Sequence, residues 1–124
     1  MTPPDDTGSE SEDQPTDELP LSLDTILDLL ANERRRYLLE YLWEQPDNVG
    51  SFEEATKTVL AKIGRKPGVL PNDGDLQTDL LHHHLPKLAD AGVIEYDTRS
   101  QTVCYRENER LEALYDRVRE FELD

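Results

Sequence analysis

Residues 80–97 read Leu-Leu-His-His-His-Leu-Pro-Lys-Leu-Ala-Asp-Ala-Gly-Val-Ile-Glu-Tyr-Asp, and this stretch decides the fold. Leu76, Leu80, Leu81, Leu88 and Ala91 recur at helical spacing and fall on one side of a 3.6-residue helix. Gly92 follows, the residue best suited to the left-handed backbone that ends a helix. Val93, Ile94 and Tyr96 then supply the β-branched and aromatic side chains of a strand. A helix stopped at Ala91-Gly92 and turned straight into a strand is how a winged helix-turn-helix joins its recognition helix to its wing.

The flanking chain supplies the remaining parts. Ser22 is positioned to cap a first helix with Leu23, Ile26, Leu27 and Leu30 inward. Asn32 ends that helix and caps a second, from about Glu33 to Gln45, with Tyr37, Leu38, Tyr41 and Leu42 inward and Pro46 at its exit. Ser51-Phe-Glu-Glu54 is a capping box that starts a third helix carrying Phe52, Ala55, Val59, Leu60 and Ile63. Residues 65–74, with two Pro and two Gly, read as a loop, long for a helix-turn-helix, and Asp75 reads as the cap of the recognition helix. After Tyr96, residues 97–100 form a turn and Gln101 to Tyr105 the returning strand, Val103 and Tyr105 sharing one face and Cys104 the other. A last helix from about Asn108 to Leu123 spaces Leu111, Leu114, Val118 and Phe121 as a two-heptad seam. The expected fold is α+β and mostly helical. A disordered acidic tail (1–20) precedes a winged helix-turn-helix domain (21–106), and the C-terminal helix (107–124) is added as a dimerisation element.

Composition bounds the function. The 124 residues suit one domain, and the single Cys104 forbids an internal disulfide or a cysteine-rich zinc site. An acidic N-terminus without an apolar segment is not a signal peptide, and no apolar run is long enough to cross a bilayer, so a cytoplasmic protein is expected. Twenty-eight acids against thirteen bases give a net charge of −15, and residues 1–20 carry seven of the acids and no base. Such a surface repels DNA at ordinary ionic strength. In molar salt the Debye length falls to roughly 3 Å and that repulsion fades. The pattern, with nine Arg against four Lys, resembles proteins of salt-accumulating halophilic archaea; the rival reading is acidity that binds a basic partner.

Catalysis finds no support, because the chain has no phosphate-cradling Gly-rich loop, no nucleophile elbow and no His-Glu-x-x-His helix. No cofactor is implied and the chain is not expected to be an enzyme. Consecutive helical residues point about 100° apart, so His82, His83 and His84 cannot converge on one metal ion. Asp79 and His83 lie one turn apart but fall short of a four-ligand zinc site, and His84 falls inside the apolar arc as a core histidine. Pro86 removes a backbone donor and crowds the carbonyl of His82, so the helix should bend there.

The motifs also resemble a family. Ala-Asn-Glu-Arg-Arg-Arg-Tyr-Leu-Leu-Glu-Tyr-Leu (31–42) is similar to the opening helix of ArsR-like winged-helix regulators. Residues 82–97 resemble a His-x-His-Leu-Pro-Lys-Leu…Ala-Gly…Tyr-Asp signature of a haloarchaeal winged-helix domain of unknown function, with His83 where an apolar residue is usual. The likeness covers about residues 20–106 and implies the fold, a halophilic source and a transcriptional role.

The function expected is therefore a winged-helix regulator that binds double-stranded DNA as a homodimer. Gln77, Thr78, His82 and His83 on the recognition helix and Arg99 in the wing would meet the duplex. Phosphates would be met by Arg34, Arg35, Lys62, Arg65 and Lys66, which read equally as solvated charges paired on the surface. The alternative is a protein-interaction or dimerisation module that keeps the scaffold without binding DNA. It is favoured by Asp75, Asp79 and Asp90 on the helix face that would meet a groove. The acidity carries its own prediction: the unfolding midpoint should rise as KCl goes from millimolar to molar, because screening relieves self-repulsion. A midpoint that stays flat across that range removes the halophilic reading.

Overall fold

The computed structural model describes residues 21–123; the acidic segment 1–20 expected to be a disordered tail lies outside them. Helix α1 (Leu23–Leu30) begins where the Ser22 hydroxyl accepts the amide of Thr25 at 3.1 Å. Asn32 caps α2 (Glu33–Trp43) in the same way, its Oδ1 accepting from the Arg34 amide at 2.9 Å. The inward face of α1 is Ile26, Leu29 and Leu30, whereas Leu23 and Leu27 are exposed. Five aliphatic residues in eight positions allow two faces, and packing against α2 and the C-terminal helix selects the second. Along α2, Leu38, Tyr41 and Leu42 are buried as expected, Leu39 joins them, and Tyr37 stays half-buried.

A short strand β1 (Val49–Ser51), absent from the sequence reading, leads into α3 (Phe52–Ile63). The Ser51 hydroxyl caps α3 by accepting from the Glu54 amide at 3.0 Å. The connection to the recognition helix ends at Asn72, not at Asp75. The Asn72 Oδ1 accepts from the Asp75 amide at 2.9 Å, which draws Asp73 and Gly74 into the first turn. Both residue types cap well, and the one placed three residues before a free amide takes the role.

The recognition helix has three parts: α4 (Asp73–Asp79), a π-helical turn (Leu80–His84) and α5 (Leu85–Asp90). The disturbance expected at Pro86 takes the form of that wider turn. The Leu85 amide bonds back to the Leu80 carbonyl, five residues away, just ahead of a residue that cannot donate to His82. The extra residue re-phases the helix. Leu76, Leu80 and Leu88 are buried, His84 and Leu85 both face inward although adjacent, and Leu81, expected inward, is 39 % exposed.

Gly92, at φ +80°, ends α5, and the chain enters β2 (Ile94–Asp97) and β3 (Thr102–Tyr105). The antiparallel sheet runs β1-β3-β2, with Gly50 opposite Val103 and Tyr96 opposite Val103 on the other edge. Val103 and Tyr105 are buried on one face, as their alternation predicts. Helices α1 and α2, a helix-turn-helix made of α3 and the recognition helix, and a two-stranded hairpin edged by β1 make a winged-helix-like fold, completed by α6 (Glu109–Leu123). Asn108 caps α6 through its Oδ1 and the Leu111 amide, at 2.9 Å. Leu111 and Tyr115 are buried in the chain's own core, Leu114 and Val118 pack half-buried against it, and Phe121 is 82 % exposed. The seam read from the sequence is thus partly intramolecular. Trp43 wedges edge-on between Tyr105 and Tyr115, and the Tyr115 hydroxyl donates to Glu40.

Sheet and helix meet most closely at Gly50. A Cβ there would stand 2.5–2.8 Å from ring atoms of buried Tyr41. Gly50→Ala should therefore cost about 1–3 kcal/mol through overpacking, read as a lower denaturation midpoint at fixed KCl. An unchanged midpoint would mean that Tyr41 swings aside freely.

Candidate nucleic-acid interface

The outward face of the recognition helix is built by its inward one. With Leu76, Leu80, Leu85 and Leu88 in the core, Gln77, Thr78, His82 and His83 are left exposed, together with Asp73, Asp75, Pro86 and Asp90. Gln77 Nε2 donates to Asp73 Oδ2 at 3.1 Å, a surface pair that a ligand could displace. The wing lies beside this end of the helix, since Gln77 and Gln101 line one cleft with Phe52, Thr56 and Lys57. The Asp97 carboxylate shapes the hairpin tip by accepting from the Arg99 amide at 2.9 Å, and the Arg99 side chain is exposed. The hairpin is tied to α3 where the Phe52 amide donates to the Gln101 carbonyl at 2.9 Å.

The residues expected to meet phosphates are placed quite differently from one another. Arg35 is 8 % exposed and does not reach the surface. Its Nε donates to the Leu29 carbonyl at 2.8 Å and one terminal nitrogen to the Asp28 carbonyl at 2.7 Å. The other faces His84 Nδ1 at 3.1 Å. Arg34 bonds Asp79 at 2.7 Å, Lys62 bonds Glu40 at 2.6 Å, and Lys66 pairs with Glu33. Arg65 alone of the five stands exposed without a carboxylate partner among the described residues. Proximity in sequence could not distinguish these fates, because every partner lies on another element.

Arg35 and Arg34 end on one cluster in the π turn. His84 Nε2 lies 2.7 Å from Asp79 Oδ2, a contact across five residues that the wider turn makes possible, and His83 Nδ1 lies 3.0 Å from Asp79 Oδ1. An arginine has only donors, so His84 Nδ1 must accept and its proton sits on Nε2, donated to Asp79. Burial pushes the His84 pKa down, with the two arginines adding to the shift and Asp79 opposing it. Burial alone would raise Asp79; the Arg34 and histidine hydrogen bonds outweigh it and hold the carboxyl below its usual range. The cluster fixes the recognition helix to α2.

Its pH dependence follows. In the unfolded chain the histidine titrates near 6.5, above its folded value, so below that pH the unfolded state binds more protons. Stability is complete above about pH 6.5 and is lost as pH falls toward the folded value; Asp79 adds a further loss below its ordinary 3.8. His84→Gln, which can accept from Arg35 and donate to Asp79 without titrating, should flatten the loss between pH 7.5 and 5 in denaturation curves. If the His84→Gln variant keeps the same pH slope, His84 is not the group that sets it. Arg35→Met should cost on the order of 2–4 kcal/mol, since it strands two carbonyls and an imidazole nitrogen.

No helix among the described residues is long and apolar enough to cross a membrane. Comparison with known proteins finds no match among curated proteins or solved structures. A family model does match, over residues 27–104, from within α1 to β3, which takes in the helix-turn-helix and the wing but not α6. That span is more than half of the chain, and the chain accordingly belongs to the family described as Domain of unknown function (DUF7344).

Proposed function

We propose that the protein is a winged-helix transcriptional regulator of a halophilic archaeon that binds double-stranded DNA in molar salt as a homodimer. The observation that carries this reading is the uncovered polar face of the recognition helix, Gln77, Thr78, His82 and His83, set beside the wing that ends in Arg99. In that geometry the helix enters a major groove and the wing follows the backbone or minor groove. The scarcity of free cations is compatible with a salty cytoplasm. Phosphate contacts work by releasing counterions, and that gain shrinks as bulk salt rises. Base-edge hydrogen bonds from Gln77, Thr78 and His82 would then carry more of the recognition, and Arg65 and Arg99 would supply the phosphate contacts.

A second reading has its own support. With Arg34, Lys62 and Lys66 paired to carboxylates and Arg35 buried, the helix face is dominated by acids. A protein-interaction module that retains the scaffold accounts for that without a salt argument.

Binding to a pool of genomic fragments of the source organism at molar KCl separates the two. Wild type should enrich a defined duplex, and Gln77→Ala should weaken it by about 1–3 kcal/mol while relaxing one base position. Arg99→Ala should lower the salt slope by about one unit and leave sequence preference intact. No enrichment at any salt transfers the assignment to the interaction module; enrichment indifferent to both substitutions places the DNA surface elsewhere.

A further inference from the structure

The recognition helix is unusual in its chemistry as well as its geometry. From Asp73 to Pro86 it contains no Arg or Lys, and Lys87, next along, is paired with Asp28. Guanine presents two acceptors, O6 and N7, in the major groove, and its usual partner is a bidentate arginine or lysine. No such group stands free on this helix. Exposed Asp73 and Asp75 add a bias in the same direction. Carboxylates accept from the amino groups of adenine and cytosine and are repelled by the paired acceptors of guanine.

What the helix does offer is an amide and a leucine. Gln77 Nε2 gives one hydrogen to Asp73 Oδ2 at 3.1 Å, which orients the amide. Its second hydrogen and its Oε1 are left for the N7 acceptor and N6 donor of one adenine. Leu81, inside the π turn, lies one helical turn beyond Gln77 on the same flank and is 39 % exposed. Of the large apolar side chains exposed among the described residues, it is the one on the recognition helix. The thymine methyl is the one apolar group that the four bases present in the major groove. A leucine turned into that groove gains contact over thymine; over cytosine it covers the N4 amino group and gives it no acceptor. Four residues of helix advance about 6 Å and each base step about 3.4 Å, so the two side chains fall about two base pairs apart. We infer that the helix selects A·T base pairs: Gln77 bonds an adenine, and Leu81 packs on the methyl group of a thymine about two steps away. His82 does not decide between purines, because a neutral imidazole donates to the N7 that adenine and guanine share.

This assignment rests on the duplex reading proposed above, and its test separates the two. The full chain at molar KCl should select, from a random duplex pool, sites with an adenine and a thymine about two positions apart. Replacing that thymine by deoxyuridine removes only the methyl group and should weaken wild-type binding about three- to fivefold. Leu81→Ala should keep the circular dichroism of wild type, bind less tightly by a similar factor and treat the thymine and uracil duplexes alike. Leu81→Met, which keeps an apolar end, should retain the thymine preference. Replacing the adenine pair by a guanine pair should weaken wild type about tenfold or more. Failure to select any duplex overturns the duplex reading and this assignment together. Selected sites whose essential bases are guanines, or thymine and uracil bound alike by wild type, overturn the A·T assignment and leave duplex binding standing. A uracil penalty that persists in Leu81→Ala overturns Leu81 as the partner of the methyl group.

Discussion

The Arg35 guanidinium holds the first half of the chain to the second. It lies at the junction of α1, α2 and the recognition helix, and it is satisfied by two carbonyls at the end of α1 and by an imidazole in the π turn. A buried charge is tolerated only where its donors are matched and a counter-charge is near. Asp79 supplies that charge through His84 and is itself bonded by Arg34. Two successive residues of α2 therefore grip one carboxylate, directly and through a histidine. The recognition helix cannot change its tilt on the domain without breaking several of these bonds together, which makes the helix a fixed part of the domain rather than a loosely tethered reader.

The same use of cations shapes the whole surface. In a protein with a net charge of −15, basic side chains are scarce, and several are committed to carboxylates on other elements: Lys62 to Glu40, Lys66 to Glu33, Lys87 to Asp28. Each such pair adds little on its own in water. Together they join the helix-turn-helix loop to α2 and the recognition helix to α1. Cations spent as fasteners are not available as a landing surface for a polyanion, and any duplex binding must then depend on base edges and high salt.

Much of this was legible in the sequence. Asn32 and Ser51 cap the helices they were expected to cap, Gly92 takes the left-handed turn, and Val103 and Tyr105 alternate inward. The misses have physical causes. Strand β1 is three residues long, too short to show a period, and becomes a strand only through its pairing with β3. Leu27 and Leu29 fit competing helical faces equally well, and only a neighbouring helix chooses between them. Arg35 reads as solvated because charge alone gives no sign of burial; the signal that could have found it is His84, a polar residue in an apolar arc on a different helix. The a/d spacing of Leu111 serves a core and a dimer seam alike, so periodicity could not tell which surface would cover it.

The π turn makes the recognition helix two segments with different angular origins. Upstream of it, exposed positions count from Leu76 and Leu80; downstream, they count from Leu85 and Leu88. One residue more or fewer in an α-helix turns everything beyond it by about 100°. Deleting a single residue between Leu81 and His83 would leave the apolar composition of the helix nearly intact. It would nevertheless rotate Gln77 and Thr78 away from the hairpin relative to the anchored half. The surplus residue thus acts as an angular offset, and a relative that lacks it would present a different set of side chains from an almost identical sequence.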